Sequence, residues 1–301
     1  MTQDIRILAP TCNYSCIFCH NEGLARSSGA PMTCEELRSL IEEATKAGYG
    51  RTVYLSGGEP LLFESARRFL RELPLLSSRC IVVSNGSLLW QLEVELLFGF
   101  EVHLDVPSFD RSLYAIMTGQ KTCSLEDVLD RARNLVAHGI PVDVNYVLCR
   151  GLNTSVAALK KAVQECRRLG FRSIRLIELL PIRHRDILEL FLPLDSVQGM
   201  GFLAEFSEVT SASIRTKRFI AHSDGFEVDL VRCSCALPCA SCGQDRDLYC
   251  TVDGRLIPCM LSAESFSIRE LGASVCVGEY INYYARNLAR IAELRMKHVG
   301  F

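Results

Sequence analysis

Charge of one sign is missing from this chain: 33 Lys and Arg stand against 35 Asp and Glu, for a formal net charge of −2. Such a balance sets up no long-range attraction to nucleic acid or an anionic membrane, and leaves room only for local basic pockets. Long apolar runs are missing too, and none approaches the roughly 20 residues that cross a bilayer. No N-terminal leader is visible, since residues 1–4 are polar and a short strand-like run follows. Internal repeats and low-complexity tracts are also absent. These absences set the expectation of a cytoplasmic protein that works on neither nucleic acid nor membrane. With 301 residues and 49% apolar content, the chain can bury the core of one large α/β-barrel domain or of two ordinary ones.

Cysteine is in excess, with 15 residues. A chain without an export signal has little use for a disulfide framework, because the cytosol keeps thiols reduced, so metal or catalytic use is expected. The distribution agrees. Cys12, Cys16 and Cys19 cluster early, and Cys233, Cys235, Cys239, Cys242, Cys250 and Cys259 cluster late. Cys34, Cys80, Cys123, Cys149, Cys166 and Cys276 are scattered and read as small buried apolar residues.

From residue 4 to about 180, strand-like runs alternate with helical stretches. Strands are expected over 5–9, 52–55, 80–84, 102–106, 142–148 and 173–177, and helices over 33–47, 64–73, 90–98, 125–138 and 155–169. Thr33 followed by Glu36 forms a capping box, and Gly48, Gly139 and Gly170 sit where helix C-terminal glycines belong. Six such units demand right-handed crossovers and a parallel sheet, open or curled into a partial barrel. Chemistry in such sheets gathers at the C-terminal strand ends. Residues 182–232 read as an irregular connector with one strand over 226–231, and 281–297 as a closing helix.

Cys12-x3-Cys16-x2-Cys19 directly follows the first strand. Three thiolates hold three irons of a cubane and leave the fourth open, where S-adenosylmethionine (SAM) can chelate through its amino and carboxylate groups. Soft thiolates select iron–sulfur or zinc sites. A zinc site wants four ligands, and His20 is a candidate fourth. Phe18 suits contact with an adenine ring or plain core packing. The second strand ends in Ser56-Gly57-Gly58-Glu59-Pro60. Paired glycines let backbone approach a ligand closely, and the Glu59 carboxylate can accept from an ammonium such as that of a methionine moiety. Together the three-cysteine loop and G-G-E-P form the signature of the radical SAM superfamily.

Within it the chain resembles the MoaA-like enzymes, the GTP 3′,8-cyclases of molybdenum-cofactor biosynthesis. The likeness runs through Asp4-Ile5-Arg6-Ile7, Ile17-Phe18-Cys19-His20-Asn21-Glu22-Gly23, Ser84-Asn85-Gly86, Tyr114 with Ile116-Met117-Thr118-Gly119, residues 144–151, residues 174–178, and Asp253 to Cys259. It implies a partial (β/α)6 TIM-like barrel over residues 1–181, and an extension over 182–301 with an auxiliary [4Fe–4S] cluster. It further implies that Cys12, Cys16 and Cys19 hold the SAM cluster, with Gly57, Gly58, Glu59, Ser84, Asn85, Asp105 and Arg175 around SAM. Cys239, Cys242 and Cys259 would hold the second cluster. Whether Cys250, Cys235 or no residue is a further ligand stays open, and a zinc ribbon is the alternative use of these cysteines. A one-electron donor of flavodoxin or ferredoxin type is implied, together with hydrogen abstraction that drives carbon–carbon bond formation or rearrangement.

The family also grips a triphosphate with basic residues. Arg6, Arg150 and Arg175 match such positions, and Arg246 is at most one equivalent of its arginine pair after the second C-x2-C. Few carboxylates are available to neutralise three rim arginines, so a substrate with one or two phosphates is expected. Ala9-Pro10-Thr11 replaces the family's T-D-R, Asp105 stands where the family has a serine, and the paired terminal glycines are absent. These departures point to a sibling acting on another nucleotide or nucleoside, as in nucleoside natural-product pathways. The rival readings are the GTP cyclase itself, a radical SAM peptide maturase and a non-catalytic metal-binding protein.

Overall fold

The computed structural model describes residues 3–19, 29–63, 65–120, 123–180, 185–210, 215–232, 247–259 and 264–299. Six parallel strands lie side by side in chain order: β1 (Gln3–Ala9), β2 (Tyr49–Gly57), β3 (Cys80–Ser84), β4 (Phe100–Asp105), β5 (Val142–Leu148) and β6 (Ser173–Glu178). Helices α1 (Cys34–Lys46), α2 (Ala66–Leu76), α3 (Arg111–Thr118), α4 (Leu125–Ala137) and α5 (Val156–Arg168) lie between them in sequence. Local chemistry starts them. Thr33 accepts from Glu36 N at 3.1 Å while the Glu36 carboxylate accepts from Thr33 N at 2.7 Å. Ser124 and Asp127 repeat this box for α4.

Strand alternation sorts the residues into two faces. Ile5, Ile7, Val53, Leu55, Val82, Val102, Leu104, Val144 and Leu176 are fully buried in one apolar core with helix residues such as Leu37, Leu40, Val128 and Leu159. Many of the alternate positions are polar. Register pairs Arg6 with Tyr54, His103 with Asp143, Asp105 with Asn145, and Asn145 with Arg175, so these side chains share the inner face.

The sheet continues beyond both sides of this run. Strands β7 (Phe206–Val209), β8 (Thr216–Ala221) and β9 (Glu227–Val231) follow β6, with β9 parallel to it. On the other side β10 (Leu248–Thr251) runs parallel to β1, followed by β11 (Arg255–Leu256) and β12 (Phe266–Ser267). Strands from before and after residue 181 therefore share one sheet. Arg215 precedes β8 and Asp247 precedes β10, at opposite flanks of the parallel run, yet they meet at 3.7 Å. That contact requires the sheet to curl, as a partial barrel does.

A short helix α6 (Leu194–Gln198) precedes β7; α7 (Ile268–Leu271) and α8 (Ala273–Val299) close the chain. The Tyr280 hydroxyl in α8 donates to the Asp247 carbonyl at 2.5 Å and accepts from Tyr249 N at 3.3 Å, which ties the helix to β10.

Two expectations need correction. The helix expected over 90–98 is instead a pair of 3₁₀ turns, Leu89–Gln91 and Val94–Leu97. Exposure there alternates every second residue from 91 to 96, so no stripe of helical period exists to pack. The connector expected to hold one strand also carries the β7–β8 hairpin, and the last helix begins at 273 rather than 281.

Candidate active site

The loop after β1 is held by backbone from two other elements, the turn after β2 and the end of α3. Glu59 N donates to Thr11 O at 2.8 Å, and Gly58 N donates to Ala9 O at 2.9 Å. Ser15 N and Ile17 N donate to the carbonyls of Thr118 and Met117, at 3.1 and 2.9 Å. The close fit explains the glycines. A Cβ on Gly58 would lie 2.0 Å from Thr11 O, and one on Gly119 would lie 2.7 Å from Ser15 O. Cys12 is exposed, and Cys16 and Cys19 are half-buried. Burial raises the Cys16 thiol, and Asp105, Cys19 and Cys12 beside it push it further. A cation at this loop would reverse that bias and favour the thiolates.

The turn after β3 completes the frame. Glu59 is fully buried; its carboxylate accepts from Ser84 Oγ at 3.0 Å, Asn85 N at 2.9 Å and Leu61 N at 3.1 Å. Burial pushes this carboxyl up to about 7, while those hydrogen bonds pull the other way. Glu59 thereby joins the G-G-E-P turn to the Ser84-Asn85 turn. Asn85 Nδ2 reaches Cys12 Sγ at 3.7 Å and Asn13 Oδ1 at 2.9 Å, and Asn13 Nδ2 reaches Ser87 Oγ at 2.8 Å. Phe18 is half-buried in the same loop.

Asp105 ends β4 at the same mouth, accepting from Asn145 Nδ2 at 2.9 Å. Burial pushes its carboxyl up to about 6 against the pull of Asn145 and Arg175. Arg175 donates to Asn145 Oδ1 at 2.9 Å and to His103 Nδ1 at 3.0 Å. With Nδ1 accepting, His103 turns Nε2 to Asp143 at 3.3 Å. Burial first, then Arg175, pushes His103 down to about 4, so it is neutral.

Arg6 lies mid-strand, 4.0 Å above the Tyr54 ring, with Nε donating to Asp247 at 2.5 Å. The sequence reading left Arg6 without a carboxylate, because nothing in the pattern showed that residues 241 positions apart would meet. Arg150 is exposed just after β5, its N–H donating to Leu190 O at 2.7 Å. His103, Asn145 and Asp247 were missed. The alternation of Glu101, His103 and Asp105 with apolar neighbours on β4 was the available signal for the first; Asp247 had none.

Cys235, Cys239, Cys242 and Arg246 lie outside the described residues, as do Cys233 and His20. Cys259 is buried beside Tyr283 and Ile291. Cys250, left open as a further ligand, is fully buried in the main core, paired with Ile7 and Leu256. Of the six scattered cysteines, Cys34 is half-buried and the other five are buried, as expected.

Cys12, exposed, and Cys16 and Cys19, half-buried, lie on one short loop, and three soft thiolates so placed fit an iron–sulfur cluster.

Residues 7–163 match the Radical SAM superfamily. The chain belongs to that superfamily. Similar proteins place this radical SAM enzyme in the MoaA-like group. A probable GTP 3′,8-cyclase of Methanosarcina acetivorans is 33% identical over 261 residues, covering 83% of this chain and 75% of the relative. Another, from Methanothermobacter thermautotrophicus, is 28% identical over 83% of this chain and 81% of its own length. Among solved structures, Streptococcus suis SuiB bound to the precursor peptide SuiA superposes with a TM-score of 0.69 at 13% identity, over 93% of this chain. The chain spans 64% of SuiB's length, and this likeness concerns the fold. The same holds for anSMEcpe with bound AdoMet, with a TM-score of 0.58 and 14% identity over 93% of this chain and 80% of that one. A radical SAM enzyme uses SAM with a [4Fe–4S] cluster. Among the described residues no helix is long and apolar enough to cross a membrane.

Proposed function

We propose that this radical SAM enzyme acts on a nucleotide- or nucleoside-type small molecule as a sibling of the GTP 3′,8-cyclases, with Cys12, Cys16 and Cys19 as ligands of the SAM cluster. The observation that carries the reading is the convergence of the cysteine loop, the Gly57–Glu59 turn and the Ser84–Asn85 turn through Asn85 to Cys12 (3.7 Å) and Glu59 to Thr11 (2.8 Å). When bound, the cluster supplies the electron that splits SAM into methionine and a 5′-deoxyadenosyl radical, which takes hydrogen from the substrate.

This chain's own residues hold and shape the site. Asn85 orients Cys12 and Asn13. The G-G-E-P backbone fixes the loop at Ala9 and Thr11. Asp105, steadied by Asn145, faces the mouth as an acceptor for SAM's ribose or amino group, with Phe18 against its adenine. The enclosing strands keep water and stray hydrogen donors from the radical. Electrons come from a one-electron donor of flavodoxin or ferredoxin type in the cytoplasm. Cys239, Cys242 and Cys259 hold a second [4Fe–4S] cluster in the region after residue 181, with Cys235 nearby. Arg150 and Arg246 are substrate contacts.

The test is anaerobic reconstitution with SAM, dithionite and a panel of nucleosides and nucleotides, followed by mass analysis. The reading expects one panel member to stimulate 5′-deoxyadenosine formation and to be converted. A panel that leaves SAM cleavage unchanged, while a peptide substrate accelerates it, overturns the nucleotide reading.

A further inference from the structure

A polyphosphate is held by cations that have no anion of their own. A guanidinium already bonded to a carboxylate must break that pair before it can fork onto phosphate. The inner face of this barrel carries four arginines among the described residues that are each already engaged. Arg6 donates to Asp247 at 2.5 Å and lies on the Tyr54 ring. Arg215, from the opposite flank, meets the same Asp247 at 3.7 Å. Arg218 forks onto Asp229 at 2.7 and 2.8 Å, and Asp229 is the register partner of Arg175. Arg175 is spent on His103 and Asn145, with Asp105 at the end of that chain. Asp4, two positions before Arg6 on the same strand face, adds a carboxylate close enough to Asp247 for the two charges to oppose each other. These four guanidiniums are thus matched in number by Asp4, Asp105, Asp229 and Asp247, so none of the four is left over for an anion.

We propose that the barrel interior selects an uncharged, hydrogen-bonding substrate of the nucleoside class over its polyphosphate, and that Asp247 is the specificity-determining residue because it holds Arg6 away from an anion. This rests on the nucleotide-type reading above and narrows it, revising the expectation of a phosphate gripped by Arg6 and Arg175. A hydroxyl-rich neutral molecule finds acceptors in Asp229 and Asp247 and donors in the arginine edges without any ion pair being broken. A triphosphate brings charge next to Asp247, where it is repelled.

The experiment is calorimetric titration of the anaerobically reconstituted enzyme, with SAM bound, using the four common ribonucleosides and their 5′-triphosphates. One nucleoside should bind at least about tenfold more tightly than its own triphosphate. Asp247→Asn should raise affinity for that triphosphate by about ten- to a hundredfold, the worth of one freed charge-assisted contact. Adding Arg6→Gln to it should cancel the gain. A wild-type enzyme that prefers a triphosphate, and loses that preference in Arg6→Gln, overturns the inference and leaves the nucleotide reading standing. Binding of neither class, with SAM cleavage intact, removes both. Should Asp247→Asn fail to fold, the wild-type comparison alone decides.

Discussion

The side-chain amide of Asn85 reaches the sulfur of Cys12 at 3.7 Å, while its other bond, 2.9 Å to Asn13 Oδ1, fixes the same loop one residue further on. The turn after β3 thereby sets where the first cysteine of the loop stands. The Asn85 backbone in turn donates to Glu59, so three strand ends share one hydrogen-bond frame. The predictions below test that frame, the groups beneath it and the late cysteines.

Cys16→Ala should leave the barrel folded and abolish 5′-deoxyadenosine formation. The loop is held through backbone bonds of Ser15 and Ile17 to Thr118 and Met117, which do not use the thiol. Circular dichroism with chromatographic assay of 5′-deoxyadenosine checks both halves. SAM cleavage retained after replacing any of Cys12, Cys16 or Cys19 removes the ligand assignment.

Gly58→Ala should dislodge the cysteine loop without touching a thiol. The new Cβ would meet Thr11 O at 2.0 Å and Thr11 C at 2.4 Å, both backbone atoms with no rotamer to yield. Overpacking of this kind destabilises by about 1–3 kcal/mol. Iron bound per chain should fall together with the urea midpoint. Normal iron content in this variant would show that the loop moves freely relative to the turn.

His103 should give the protein a pH-dependent stability that Gln cannot reproduce. Its imidazole is pushed from 6.5 down to about 4 by burial and Arg175. Between those values the unfolded chain binds a proton that the native state refuses, so this contribution is complete above pH 6.5 and is lost as pH falls toward 4. Its full size is about 3 kcal/mol. Asp105, pushed up to about 6, slopes the opposite way, with native stability falling as pH rises from 3.8 to 6. The difference in urea-unfolding free energy between wild type and His103→Gln therefore carries the test: it should grow in favour of the variant from pH 6.5 to 4. A flat difference contradicts the neutral, Asp143-facing tautomer.

Replacing Cys239 and Cys242 together by Ala should remove one of two cubanes and leave the SAM-binding cluster. Iron and sulfide analysis of the reconstituted double variant should give half the wild-type content, with SAM-dependent changes in the remaining spectrum preserved. Stoichiometric zinc in freshly purified wild type, with a single cubane, would make these cysteines a structural site. Cys250→Ala belongs beside this experiment. A fully buried residue paired with Ile7 and Leu256 should change stability and leave the iron count unaltered.

The six parallel strands, the helix caps and the two motif loops were legible in the sequence because each depends on neighbours a few residues away. The Thr33–Glu36 box is complete within four residues, and strand alternation marks its own two faces. Motif spacing likewise put the cysteine loop and the G-G-E-P turn after successive strands. Tertiary structure decided the rest. Only the insertion of β10 beside β1 brings Arg6 to Asp247, and only the curl that returns the β7–β8–β9 flank brings Arg215 to the same carboxylate. Glu59 became a buried tie between turns because Ser84 and Asn85 arrive there from another strand. Cys250 became core because β10 inserts beside β1 with that side chain turned from the lumen. A sequence names the charges; which of them neutralise one another depends on distances of a few ångströms between strands far apart in the chain, and Coulombic and hydrogen-bond energies are decided at that range.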